Sequence, residues 1–211
     1  FTVTNDYVQL EVEFPLKVIS SAVHNAGMGW YNNFLNRSIS PYYNIENVKE
    51  ETVQFLLERG FSLTNTVVML TAVEANLVAI RSFHHERFSI TIAVTAGVGN
   101  AVDVTRTYER QDTPYIGTIN TWVIVNGKLS DEAFYQAMIT ATEAKTKALA
   151  EEEIRDVQTN TIATGTATDS LLIAATQHGE EMPYAGPITD VGKLIGHGVF
   201  ETTVEAIRKY K

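Results

Sequence analysis

From Asp131 to about Glu152 the chain holds neither Gly nor Pro, and Ala, Glu, Lys and Gln dominate. A stretch of that length and composition favours a long helix. Its start is marked as well. Ser130 is placed to cap the first turn, and Asp131 and Glu132 put acidic groups where the helix dipole favours them. Upstream, Thr121–Val125 reads TWVIV, a β-branched and aromatic run suited to a buried strand, and Asn126-Gly127 breaks it from the helix. The segment 117–149 is therefore a strand, a turn and a helix, around which the remaining elements have to be arranged.

At about 100° per residue, Phe134, Met138, Ala141, Lys145 and Ala148 share one stripe of this helix, flanked by Ala137 and Ala144. Lys145 thus stands near the middle of an otherwise apolar face. One reading is a stem laid along the rim of the core with its ammonium in water. The other is a cation held at a cleft wall, able to act as an acid, a base or an anion clamp. Glu143 points the other way, beside Gln136 and Lys147, and the Glu143/Lys147 spacing suits an exposed ion pair. On the wheel, Lys145 is the stronger functional candidate of the two.

Composition narrows the classes of function. The 211 residues suit one domain with a sizeable core, and 45% apolar with 19% charged residues is ordinary for a globular chain. A formal charge of −9 argues against a nucleic-acid surface. The absence of cysteine removes disulfides, thiolate metal sites and a cysteine nucleophile. No apolar run approaches the roughly 20 residues that span a bilayer, and no basic stretch leads into an apolar one at the start. The expected location is cytoplasmic. The chain begins at Phe1 rather than Met, which leaves room for residues upstream. A homo-oligomer is compatible with all of this.

Along the chain, Tyr7–Phe14 alternates like a half-exposed strand, Pro15 interrupts it, and Leu16–Ala22 makes a second strand. Asn25–Gly29 is expected as a loop, and Asn44–Leu57 as an amphipathic helix closed by Gly60. Thr66–Val73, Leu77–Phe83 and Phe88–Thr95 are strand candidates, the last two joined by a turn at His84–Arg87. Asp103–Pro114 reads as a surface loop. Thr159–Thr164 and Ser170–Thr176 read as strands, Gly179–Pro187 as a loop, and Ile188 onward shows helical spacing. Gly192, Gly196 and Gly198 in that last segment mark a close approach or a break. The expected fold is α+β, with mixed α/β layers. A mixed β-sheet is flanked by a few long helices in a single domain over 1–211.

Several familiar patterns fail. Gly97-Val98-Gly99 lacks the third glycine of a dinucleotide fingerprint, where Val102 stands. Gly186–Lys193 is one residue too long for a phosphate loop, and Leu194 replaces the Ser or Thr that would bind magnesium. His84-His85-Glu86 lacks the second histidine of a zinc-protease helix, and His24, His178 and His197 are isolated. What remains is four small-polar clusters beside strand ends. They are Ser20, Ser21 and Asn25; Thr95, Gly97, Gly99 and Asn100; Thr118 and Asn120; and Thr164 through Asp169. Together they suggest one polar pocket.

These clusters also carry a resemblance. SSAVHNAG at 20–27, TAGVGNA at 95–101, GTIN at 117–120, LSDEA and TATEAKTKAL in the long helix, ATGTATD at 163–169 and YAG…VGKLIG at 184–196 are similar to the adenosylcobinamide amidohydrolase family. The matches occur in order over nearly the whole chain, and TATEAKT followed by ATGTxTD is the most specific. After TAGVGNA the family often carries Ala-Gly-Asp, and here Val104-Thr105-Arg106 stands instead. The resemblance implies hydrolysis of the amide that joins the aminopropanol arm to the corrin ring of adenosylcobinamide, giving adenosylcobyric acid. It implies a small-molecule corrinoid partner whose cobalt belongs to the substrate, and no cofactor or metal site of the protein's own.

Amide hydrolysis needs a nucleophile, donors for the oxyanion and a proton for the leaving amine. The nucleophile is either a hydroxyl (Ser20, Ser21, Thr164, Thr166 or Thr168) or a water activated by Asp169 or Glu143. Lys145 is the candidate to activate a hydroxyl or protonate the amine. Asn100, Asn120 and the N–H groups of Gly97, Gly99 and Gly165 are candidate oxyanion donors. Asp169 also has a simpler reading as a turn cap. The competing class is a non-catalytic corrinoid-binding or carrier module, in which the same groups hydrogen-bond the amides of the corrin periphery.

Overall fold

The computed structural model describes residues 1–40, 45–108, 110 and 117–211. The expected start of the first helix at Asn44, and residues 109 and 111–114 of the expected surface loop, lie outside them. The main sheet contains β1 (Tyr7–Ser20), β2 (Gly27–Ser38), β3 (Thr66–Thr71), β4 (Ala79–His84), β5 (Ser89–Ala96), β6 (Ile119–Asn126) and β7 (Ser170–Ala175). Their order is β3-β2-β1-β7-β6-β5-β4, with Thr2–Val3 added beside the start of β1. The β2/β3 and β6/β7 pairs are parallel and the other neighbours antiparallel. A parallel pair needs a crossover. Helix α1 (Val48–Glu58) lies in the first crossover and α2 (Asp131–Glu151) in the second, and α3 (Asp190–Tyr210) ends the chain. The fold is thus the mixed α+β arrangement expected.

The expected α2 forms, and Ser130 caps it by accepting a hydrogen bond from the Ala133 N–H at 3.1 Å. Its small residues Ala133, Ala137, Ala141 and Ala148 are buried, and Phe134 is fully buried beside them. Helix α3 lies against α2 and against β4 and β5. Gly198 allows that approach, because a Cβ there would sit 2.6 Å from Ile92 Cδ1 and 2.8 Å from the Phe83 ring. The glycines of this segment thus mark contact rather than a break in the helix.

The sheet curls so far that strands with three others between them meet across its concave face. Trp122 Nε1 on β6 donates to Met69 Sδ on β3 at 3.3 Å, and Asn36 Nδ2 on β2 donates to Thr95 Oγ1 on β5 at 2.8 Å. Val8, Leu10, Val18, Phe34, Val67, Met69, Trp122 and Leu172 fill that side. The opposite side, under α2 and α3, is a second core built on Ile90, Ile92, Val123, Val125, Ile173 and Phe134.

Four expectations are corrected. Tyr7–Phe14 and Leu16–Ala22 are one strand, β1. Its register to β2 jumps between Glu11 (opposite Asn33) and Leu16 (opposite Tyr31), so Pro15, which has no N–H, sits in a bulge rather than a break. Gly27 to Gly29 of the expected loop open a twelve-residue strand, β2. Its glycines and its three asparagines at 32, 33 and 36 hide it, and the register shift disturbs the alternation that would reveal it. Thr159–Thr164 is no strand. It bends around the Asp156 carboxylate, which accepts from the N–H groups of Gln158 and Thr159, and is tied by a single bridge from Arg155 to Ile162. Asp103, expected in a surface loop, is buried.

Candidate active site

Lys145 lies on the sheet-facing side of α2, two turns from its end. Its ammonium pairs with Asp169 Oδ2, and both side chains are largely buried. Asp169 stands just before β7 and is held from several directions. Its Oδ1 accepts from the Thr166 hydroxyl at 2.5 Å, the Ile119 N–H at 3.0 Å and the Thr166 N–H at 3.2 Å. Gly165 makes room for the pair, since a Cβ there would lie 2.5 Å from Asp169 Oδ2 and 2.9 Å from Lys145 Nζ. The ion pair opens into a cleft of about 220 Å³ between α2 and the sheet, lined by Ser21, Ile119, Thr121, Met138, Ala141, Thr142, Ser170 and Leu171 as well.

The cleft's hydroxyls differ in how they are used. Ser21 is exposed; its Oγ accepts from the Leu171 N–H at 3.0 Å and lies 3.3 Å from Ser170 Oγ. Ser170 Oγ also donates to the Ser21 carbonyl at 3.1 Å. Thr142 donates to its own helix at the Met138 carbonyl. Thr121 is buried, lines the cleft, and its Oγ1 has no hydrogen-bond partner among the described residues. A buried hydroxyl without a partner costs on the order of 1–3 kcal/mol; Thr203 Oγ1 on α3 stands in the same condition, and Thr121 differs from it in lining the cleft.

The remaining sequence candidates divide between support and separation. Thr168 donates to the Gly117 carbonyl at 3.0 Å, the Thr166 hydroxyl, whose one hydrogen serves Asp169, lies 3.0 Å from the same carbonyl, and Thr164 Oγ1 accepts from the Val104 N–H at 3.0 Å. These hydroxyls build the turn that carries Asp169. Ser20 accepts from the Ala22 N–H, and Asn25 donates to the carbonyls of Leu63 and Thr66, so both fix the connection from β1 to β2. The Gly97 N–H donates to the Thr118 carbonyl at 2.9 Å and is already engaged. Asn100 is buried beside Gly117. Asn120 faces the concave side, away from the cleft. It donates to Asn36 Oδ1 at 2.7 Å and to the Leu70 carbonyl at 2.8 Å, and accepts from Thr118 Oγ1 at 3.1 Å. Glu143 lies on the exposed face of α2, and Lys147 pairs with Glu151 rather than with it.

Sequence reasoning missed Thr121, Thr142, Ser170 and Asn36. In the sequence Thr121 opens a β-branched and aromatic run that suits a buried strand. Its signal is a hydroxyl at a position where every neighbour on the same face is aliphatic, Ile119 and Val123.

A second polar cluster stiffens the approach to the Asp169 turn. Asp103 accepts from the Thr161 hydroxyl and from the Thr105 hydroxyl and N–H, which together hold its carboxyl below the usual carboxylate range despite burial. Burial alone would raise Asp156. The N–H groups of Asp103, Gln158 and Thr159 and the Arg110 guanidinium at 2.8 Å outweigh that and lower it. The cluster clamps the residues on either side of the short Ala101–Val102 and Gly165–Thr166 pairing. Among the described residues, no group of three or more His, Asp or Glu side chains converges as a metal site. No helix among them is long and apolar enough to cross a membrane.

Comparison with known proteins is consistent in direction. The model of a family described as adenosylcobinamide amidohydrolase matches residues 2–211. An adenosylcobinamide amidohydrolase of Methanosarcina mazei is 31% identical over 175 residues, 81% of this chain and 78% of that protein. An uncharacterized protein of Methanocaldococcus jannaschii is 29% identical over 194 residues, 82% of this chain and 76% of that one. Among solved structures, a protein of Pyrococcus horikoshii superposes with a TM-score of 0.54 at 10% identity, covering 98% of this chain and 79% of the other, a likeness of fold alone.

Proposed function

The chain belongs to the adenosylcobinamide amidohydrolase family, and from that premise we propose that it hydrolyses adenosylcobinamide to adenosylcobyric acid and free aminopropanol in the Lys145–Asp169 cleft. The observation that carries the reading is this ion pair at the end of a cleft that also holds an exposed serine and an unpartnered buried hydroxyl. The C–N bond of the amide breaks. The elements of water add across it, with hydroxyl to the carbonyl carbon and a proton to the leaving nitrogen. Lys145, oriented by Asp169, supplies a cation near the developing oxyanion and the proton for the amine. Asp169 acts by holding Lys145 and Thr166, since its oxygens are already occupied by four donors. The Thr121 hydroxyl, buried in the cleft wall, would hydrogen-bond the arm once the arm displaces the side chains over it. The nucleophile is the Ser21 hydroxyl or a water beside it and Ser170. Trapping a corrinoid ester on Ser21 marks the first route, and its absence in rapidly quenched turnover marks the second. Cobalt arrives with the substrate, so the proposed chemistry asks for no metal ligands from the protein.

The decisive experiment is mass-spectrometric detection of aminopropanol from adenosylcobinamide incubated with the purified protein. Stoichiometric release together with adenosylcobyric acid, undiminished by chelator, is the expected result. Tight binding of intact substrate with no release would instead make the chain a corrinoid-binding module.

A further inference from the structure

Helices α2 and α3 cover β7, β6, β5 and β4 on one side of the sheet, and α1 covers Leu35 and Val68 farther along β2 and β3. Between these covers the first part of β2 is bare. Met28 is 41% exposed and Trp30 56%. Both point to the helix side. Met28 is the cross-strand partner of Ile19, which belongs to the helix-side core. Trp30 is the partner of Lys17, whose Nζ lies 5.6 Å from the Phe134 ring of α2.

The facing wall is α2. Its edge toward α3 carries Gln136 and Thr140, which bond the backbone of Ala185 and Gly186 ahead of α3. The opposite edge carries Tyr135 and Ile139, each 58% exposed, in line with Thr142 on the cleft. Met28 and Trp30 are thus the floor, Tyr135 the wall and Ile139 the outer lip of a largely apolar trough, with the Lys17–Asp131 ion pair across its base. The trough runs to Ser21 and Thr142, the rim of the Lys145–Asp169 cleft.

We propose that this trough seats the corrin macrocycle while the aminopropanol arm enters the cleft, so that it is a ring-binding site for the corrinoid. The proposal rests on reading the cleft as the place where the arm is cut. Volume argues for it: about 220 Å³ is below the roughly 300–1,000 Å³ that encloses a drug-sized ligand, so a tetrapyrrole-sized ring has to lie outside. Chemistry argues the same way. The ring offers a broad apolar face with amides at its edge, and a tryptophan and a tyrosine present flat apolar bodies with a polar tip each. A contiguous exposed patch of this kind on a soluble surface marks something that covers it, and this one is continuous with the cleft.

The test uses adenosylcobyric acid, the macrocycle without the arm, in equilibrium dialysis read by its visible absorption. Wild type is compared with a Trp30→Ser/Tyr135→Ser/Ile139→Ser variant and with Ile188→Ser, a control at an 85% exposed position ahead of α3. Wild type and control should bind equally, and the triple variant at least about tenfold more weakly, with matching thermal melts. With adenosylcobinamide the triple variant should raise KM by a similar factor and leave kcat within about threefold. Equal affinity in the triple variant, or no binding by wild type, overturns the trough. So does a wild-type dimer that dissociates in the triple variant while the macrocycle goes unbound, since the patch would then seat a second copy. Binding here is read without turnover, so a protein that binds the ring through the trough yet releases no aminopropanol would sink the cleft reading alone.

Discussion

Two buried polar clusters lie back to back across β6, and they are built from the same short motifs. On the concave side Thr95, Asn36, Asn120 and Thr118 form a chain that links β5, β2, β6 and the β3 carbonyl of Leu70. Asn120 uses both its amide groups within the protein. On the helix side, the next residue along, Thr121, keeps a hydroxyl with no partner among the described residues, beside an ion pair that faces a cleft and an exposed serine. The first cluster is closed: its groups satisfy one another and brace a curled sheet. The second is open, and open polar groups in a cleft are where a ligand does the satisfying.

The largest predicted effect breaks the open cluster. Asp169→Asn keeps the size of the side chain and an oxygen for Thr166 and Ile119 but releases Lys145. Turnover should fall by about two orders of magnitude, while Glu143→Gln, on the solvent face of α2, stays within about twofold of wild type. Steady-state kinetics on both variants checks this, and a dead Glu143→Gln beside an active Asp169→Asn would move the chemistry to the other face of the helix.

Breaking the closed cluster should do the reverse. Asn120→Ala strands Asn36 Oδ1 and takes a donor from the Leu70 carbonyl, at about 1–3 kcal/mol for each group left without a partner, while the Thr118 hydroxyl keeps the Thr168 carbonyl. At roughly 2–4 °C per kcal/mol for a chain of this size, the melting temperature should drop by about 5–15 °C, with kcat of the folded protein near wild type. A large kcat loss at an unchanged melting temperature would show that Asn120 belongs to the active site after all.

The smallest effect concerns acid. Asp103 and Asp156 have carboxyls lowered in the fold, so their contribution is present above the ordinary carboxylate range near pH 4. It is lost as pH falls through their lower folded values. Amide hydrogen exchange, corrected for intrinsic rates, should show residues 101–105 and 156–164 losing protection below about pH 4 before β6 does. Simultaneous loss throughout would remove the clamp as a separate unit.

How much of this was legible follows from geometry. The wheel of α2 puts Lys145 toward the sheet and Glu143 into solvent, and they lie there, because a long capped helix has one period and one buried face. The small-polar motifs suggest one pocket, but the structure puts Thr95, Thr118 and Asn120 on the concave side, Ser21 and the Asp169 turn at the cleft, and Ser20 and Asn25 at the β1–β2 connection. Alternation alone separates Asn120 from Thr121, but with both faces of β6 buried no polarity contrast says which face meets a cleft. Asn36 stayed hidden because β2 carries glycines and asparagines and shifts register beside Pro15. Ser21 and Ser170 are 149 residues apart in the chain, and only the pairing of β1 with β7 brings them together.

The account turns on the Lys145–Asp169 pair as one working unit, and a double-mutant cycle in turnover tests it most directly. Lys145→Met, Asp169→Asn and the double variant are each measured for kcat/KM on adenosylcobinamide as folded proteins. If the pair acts together, each single variant loses about a hundredfold and the double loses little more. Independent, multiplying losses, or a Lys145→Met variant with wild-type turnover, would contradict it and leave the ion pair a structural tie between α2 and the Asp169 turn.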